Sequence, residues 1–65
     1  MRKLTLRQER FIDEYLIDLN ATQAYLRAGY VVKNVRVAEA NASRLLSSAK
    51  VASVLVEKWE SLAVA

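Results

Sequence analysis

Residues 20–34 read NATQAYLRAGYVVKN, and these fifteen residues decide the fold. Asn20 is a favoured N-cap, and Gln23 three positions on has the capping-box spacing, so a helix starts at Ala21. The segment is rich in alanine, the best helix former, and runs to Ala28. Gly29, the only glycine in the chain, can take the left-handed conformation that closes a helix. About eight residues is too short to be stable alone in water, so neighbours must hold this helix. Asn34 is the next capping residue and opens a second helix five residues after Gly29.

That second helix is expected to run to about Leu46. On a helical wheel Val35, Ala38, Ala42, Leu45 and Leu46 share one side, flanked by Val37 and Asn41. Arg36, Ala40, Ser43, Arg44 and Ser47 share the other. A short capped helix, a glycine turn and a helix with a polar, basic outer face form a helix-turn-helix arrangement. The short helix is a brace that sets the angle of the one behind it.

Two further helices flank the pair. Thr5 and Gln8 form a T-x-x-Q capping box, and Phe11, Ile12, Tyr15, Leu16 and Leu19 make one stripe of a helix from about Leu6 to Leu19. After Ser47-Ser48, Val51, Val54, Leu55, Trp59 and Leu62 form another stripe, with Lys50, Ser53, Glu57 and Glu60 off it. The chain has no proline and no alternating strand pattern. The expected fold is a small all-α, four-helix domain spanning residues 1–65 and containing the helix-turn-helix. The last helix reaches Ala65 with no glycine, proline or cap to stop it, which reads as a piece of a longer protein.

With 65 residues the chain sits near the lower limit of autonomous folding. It has no cysteine and no histidine, so it offers no disulfide, no usual zinc site and no cofactor site. A hydrophobic fraction of 54% must supply the core instead. No stretch reads as a secretory leader or a membrane span, so a soluble, intracellular protein is expected. The usual general base and the thiol nucleophile are both missing, and one glycine cannot make a phosphate-cradling loop. Asp13, Glu14 and Asp18 read as a solvated helix face. The expectation is a non-enzyme.

The net charge of +3 is unevenly spread. Residues 5–19 carry Arg7 and Arg10 against Glu9, Asp13, Glu14 and Asp18. Residues 20–50 carry Arg27, Lys33, Arg36, Arg44 and Lys50 against Glu39 alone. A basic second half beside an acidic first helix points to a polyanion-facing side. Helix-turn-helix proteins lay the second helix of the pair in the DNA major groove. Here it would offer Lys33, Asn34, Arg36, Ala40, Ser43, Arg44 and Ser47, with Arg27 at the edge. Arginine can read guanine, asparagine can read adenine, and serine suits phosphates or bases. Small Ala40 would allow close approach. Periodicity leaves open that Arg36 and Arg44 are ordinary solvated charges, or that the DNA face lies at Arg2, Lys3 and Arg27. Tyr30 is expected to pack over the turn, Tyr25 to reach the groove edge, and Trp59 to join the core unless it marks a subunit contact.

The wording of the chain is more specific still. LTLRQERFIDEYLIDLNATQAYLRAGY, residues 4–30, resembles the start of the small terminase subunits of tailed bacteriophages and prophages. The matching residues are Leu4-Thr5, Gln8-Glu9-Arg10-Phe11, Glu14-Tyr15, Asn20-Ala21-Thr22, Ala24 and Ala28-Gly29-Tyr30. ASRLLSSAKV, Ala42 to Val51, resembles a second landmark of that family. The resemblance implies a DNA-binding domain of a packaging protein acting in the host cell cytoplasm. Its partners would be double-stranded DNA at the packaging initiation site, further copies of itself in a ring, and a large terminase subunit carrying ATPase and nuclease. Leu6 replaces the family's usual proline at the first helical position. Val31 replaces a serine cap, which moves the expected helix start to Asn34. The same scaffold would also serve a transcriptional regulator or a recombinase, and the helix 4 stripe would serve a protein-interaction module.

Overall fold

The computed structural model describes residues 4–64. It consists of helices α1 (Leu6–Asp18), α2 (Ala21–Arg27), α3 (Val35–Ser47) and α4 (Ala49–Val64), with no strand among the described residues. Arg2 and Lys3, the alternative cationic face, and the chain end at Ala65 lie outside those residues.

Side chains mark the first three helix starts. The Gln8 amide N–H donates to Thr5 Oγ1 at 3.1 Å, and the Thr5 N–H donates to Gln8 Oε1 at 3.0 Å, completing the capping box. Asn20 Oδ1 accepts from the Gln23 N–H at 3.0 Å, and Asn34 Oδ1 accepts from the Val37 N–H at 3.1 Å. Only half of the expected box forms at α2. The Asn20 N–H donates to Asp18 Oδ1 at 3.1 Å, so a carboxylate from the preceding helix takes the place expected of Gln23.

The helix ends differ from expectation by a residue. Leu19 leaves α1 in the left-handed region at φ 57°, its N–H donating to the Tyr15 carbonyl at 2.7 Å. Such a conformation costs a side-chain-bearing residue about 1–2 kcal/mol. α2 ends at Arg27, one residue before the expected Ala28, which is its C-cap, and Gly29 follows at φ 97°. Between α3 and α4 stands a single extended residue, Ser48, whose carbonyl already accepts from the Ala52 N–H at 2.8 Å.

The core holds Phe11 and Ile12 from α1, Ala24 and Tyr25 from α2 with Ala28 beyond it, Ala38 and Ala42 from α3, and Val51 and Val54 from α4. Alanines on both sides of the α2–α3 contact keep the two helices close. Tyr25 is not at a groove edge: it is 6% exposed. Its ring stacks on Tyr30 with centroids 4.2 Å apart and planes 3° apart, and meets Phe11 edge-on at 6.5 Å. Its hydroxyl accepts a hydrogen bond from Asn41 Nδ2 at 3.0 Å. Tyr30 packs over the turn as expected.

The apolar stripes fail at the periphery, where Leu19, at the end of the α1 stripe, is 52% exposed. Val35 is 56% exposed; α2, at about 10 Å, is half the length of α3 and covers only part of it. Trp59 is 51% and Leu62 60% exposed. The grooves beside the C-terminal half of α4 are bordered by residues of α1 alone, too narrow a partner to cover the whole stripe.

A Cβ added to Gly29 would meet nothing within 4 Å, so replacing it tests backbone conformation and not space. Gly29→Ala is expected to destabilise the domain by about 1–2 kcal/mol, lowering the melting temperature by several degrees in a circular dichroism melt. Gly29→Asn should lose less. Equal melts would mean that the turn does not depend on the positive φ.

Candidate nucleic-acid interface

Two groups of cations differ in what they touch. At the α1–α2 corner, Arg27 donates from Nε to Glu14 Oε1 at 2.7 Å and from Nη2 to Asp18 Oδ1 at 3.2 Å and to the Glu14 carbonyl at 3.2 Å. The last turn of α1 contains no basic residue, and Arg27 supplies one from the neighbouring helix, where it complements the helix dipole. Lys58 Nζ donates to Asp13 Oδ1 at 2.6 Å, tying α4 to α1. The three acids expected to form a solvated face therefore pair between helices. All these groups are partly exposed, so each pair adds little stability but fixes geometry.

Arg27's guanidinium, and secondarily the Asn20 N–H, hold the Asp18 carboxyl below its ordinary range. The same pairing raises Arg27. Arg27, placed by sequence at the edge of the DNA face, thus has two carboxylates as near partners.

The second group lies on and around α3. Arg36, Ala40, Ser43, Arg44 and Ser47 are all exposed, at helical spacings i, i+4, i+7, i+8 and i+11 that share one strip. Eleven residues span about 16 Å of helix, enough to follow a groove about 12 Å wide. Lys33 is exposed in the bend just before α3. Asn34 is exposed too, but its Oδ1 caps α3; bidentate adenine reading would take that oxygen from the cap.

Among the described residues no acid pairs with Lys33, Arg36, Arg44 or Lys50. Lys50, in the first turn of α4, belongs to this unpaired set although sequence reading left it off the site. Tyr25, Tyr30, Asn41, Arg44 and Leu45 line a shallow cleft that includes one end of the strip. No group of acidic residues among those described could hold a metal ion. No described helix is long and apolar enough to cross a membrane.

These features define a small helical domain in which a braced short helix precedes a helix with a basic, unpaired outer face. The chain matches the terminase small subunit family over residues 4–64 and belongs to it. That family serves phage genome packaging. Comparison with curated proteins and with solved structures finds no match.

The folded state holds the Asp18 proton less tightly than the unfolded chain does. Its contribution to stability is therefore present above the ordinary value of 3.8 and lost as pH falls below it. In a carboxyl-detected NMR titration Asp18 should titrate below the ordinary aspartate range, and Arg27→Ala should move it up toward that range. An unmoved Asp18 would remove Arg27 as the cause.

Proposed function

We propose that this domain binds double-stranded DNA through the outer face of α3, recognising the viral genome at its packaging initiation site. The observation that carries the reading is the segregation of charge. Arg27 and Lys58 are matched to the carboxylates of α1, whereas Arg36, Arg44, Lys33 and Lys50, on and beside α3, have no acid partner among the described residues and are left for a polyanion. Membership of the terminase small subunit family supports it. Arg36 and Arg44 are the main contacts, Lys33 and Lys50 neutralise neighbouring phosphates, and Ser43 and Ser47 donate to phosphate or base oxygens. Ala40 lets the helix approach closely. The role is recognition and not catalysis, with cleavage and translocation left to the large terminase subunit. A transcriptional regulator would use the same face and would show a preference for palindromic sites.

Titration of a short duplex at several salt concentrations tests this reading. Arg36→Ala and Arg44→Ala should each weaken binding and lower the slope of log K against log salt by about one. Unchanged slopes in both would remove α3 as the DNA face.

A second surface favours protein contact. Ile17, Leu19, Val56, Trp59 and Leu62 are large apolar side chains between 51% and 72% exposed, and they border two grooves that share Leu16. We assign this face to a second copy of the chain, as in a homo-oligomer. Sedimentation over a wide concentration range should show self-association that Trp59→Asp abolishes, with a blue shift of Trp59 emission in the associated state. A monomer at every concentration would refute the assignment.

A further inference from the structure

Arg7 stands in the first turn of α1, remote in sequence from α3, and neither the helical wheel nor the charge pattern placed it on the DNA face. Its guanidinium carbon lies 5.9 Å from the centroid of the Tyr30 ring. Tyr30 in turn is stacked on Tyr25, which is hydrogen-bonded to Asn41 of α3. Tyr30 also lines the cleft to which Arg44 contributes. Tyr30 is thus the common neighbour of one arginine from α1 and one from α3, both exposed and neither paired with a carboxylate among the described residues.

An arginine held over an aromatic ring keeps the N–H edge of its guanidinium for another partner, and that edge matches two phosphate oxygens. Stacking on the buried Tyr25 fixes the half-buried Tyr30 ring as a platform, so less side-chain freedom is lost when an anion binds. We propose that Arg7 contacts a DNA backbone phosphate, so that the duplex backbone is gripped at Tyr30 between Arg7 and Arg44. This rests on the DNA-binding reading above and extends its footprint from one helix to two, with α3 in the groove and the first turn of α1 on a flanking phosphate.

The test compares Arg7→Ala with Arg10→Ala in the 65-residue chain. Both variants remove one positive charge from the same helix, but among the described residues only Arg7 lies over an aromatic ring. Binding to a labelled duplex is followed by fluorescence anisotropy across a salt series, after circular dichroism has confirmed equal helicity. Arg7→Ala should weaken binding several-fold and lower the salt slope by about one, while Arg10→Ala leaves the slope in place. Arg7→Gln, which keeps a polar side chain but removes the charge, should give the same slope as Arg7→Ala. If Arg7→Ala behaves like Arg10→Ala while Arg44→Ala still lowers the slope, the Arg7 contact is wrong and the α3 face stands. If Arg7, Arg36 and Arg44 variants all leave the slope unchanged, the DNA reading fails with it.

Discussion

The whole arrangement depends on Tyr25. A seven-residue helix has too few internal hydrogen bonds to offset the entropy of ordering it, and α2 has to be held from outside. Tyr25 does this in three directions: edge-on to Phe11 of α1, face-on to Tyr30 of the turn, and through its hydroxyl to Asn41 of α3. The ring offers a large apolar surface and a polar tip, so it can be buried at 6% exposure without leaving an unsatisfied oxygen. Remove those contacts and α2 loses its hold on the helix it is there to orient.

Around that anchor the domain uses small residues and charge in complementary ways. Alanines at 24, 28, 38 and 42 are buried and let α2 and α3 approach without bulky knobs, while Phe11, Ile12 and Val51 supply the large fully buried side chains. The acidic residues of α1 take up Arg27 and Lys58. Arg36 and Arg44 of α3 are left without an acid partner among the described residues. A surface of this kind attracts anions along its length and loses that attraction as salt rises.

What the sequence reveals here is what is local. Thr5, Asn20 and Asn34 each bond three residues ahead, so the cap spacings could be read directly, and the three helix starts fall where those spacings put them. Gly29 could be read because few other residues accept its φ. The strip Arg36, Ala40, Ser43, Arg44 and Ser47 is exposed because helical periodicity alone decides it. The misreadings involve partners far along the chain. Tyr25 is hydrogen-bonded by a residue sixteen positions away, and Asp13 meets a lysine forty-five positions away. An apolar stripe says that Val35 and Trp59 want cover; it does not say whether a neighbouring helix is long or wide enough to provide it. Arg7 is invisible to periodicity for the same reason, since only folding carries it to Tyr30.

Ser48 has a mechanical meaning. As the only residue between α3 and α4, with its N–H and carbonyl both engaged by the flanking helices, it leaves one pair of dihedral angles to relate the basic helix to the apolar one. No slack exists for either to swivel independently. Anything seated on the Trp59 face would thereby also fix the bearing of the arginine-bearing helix.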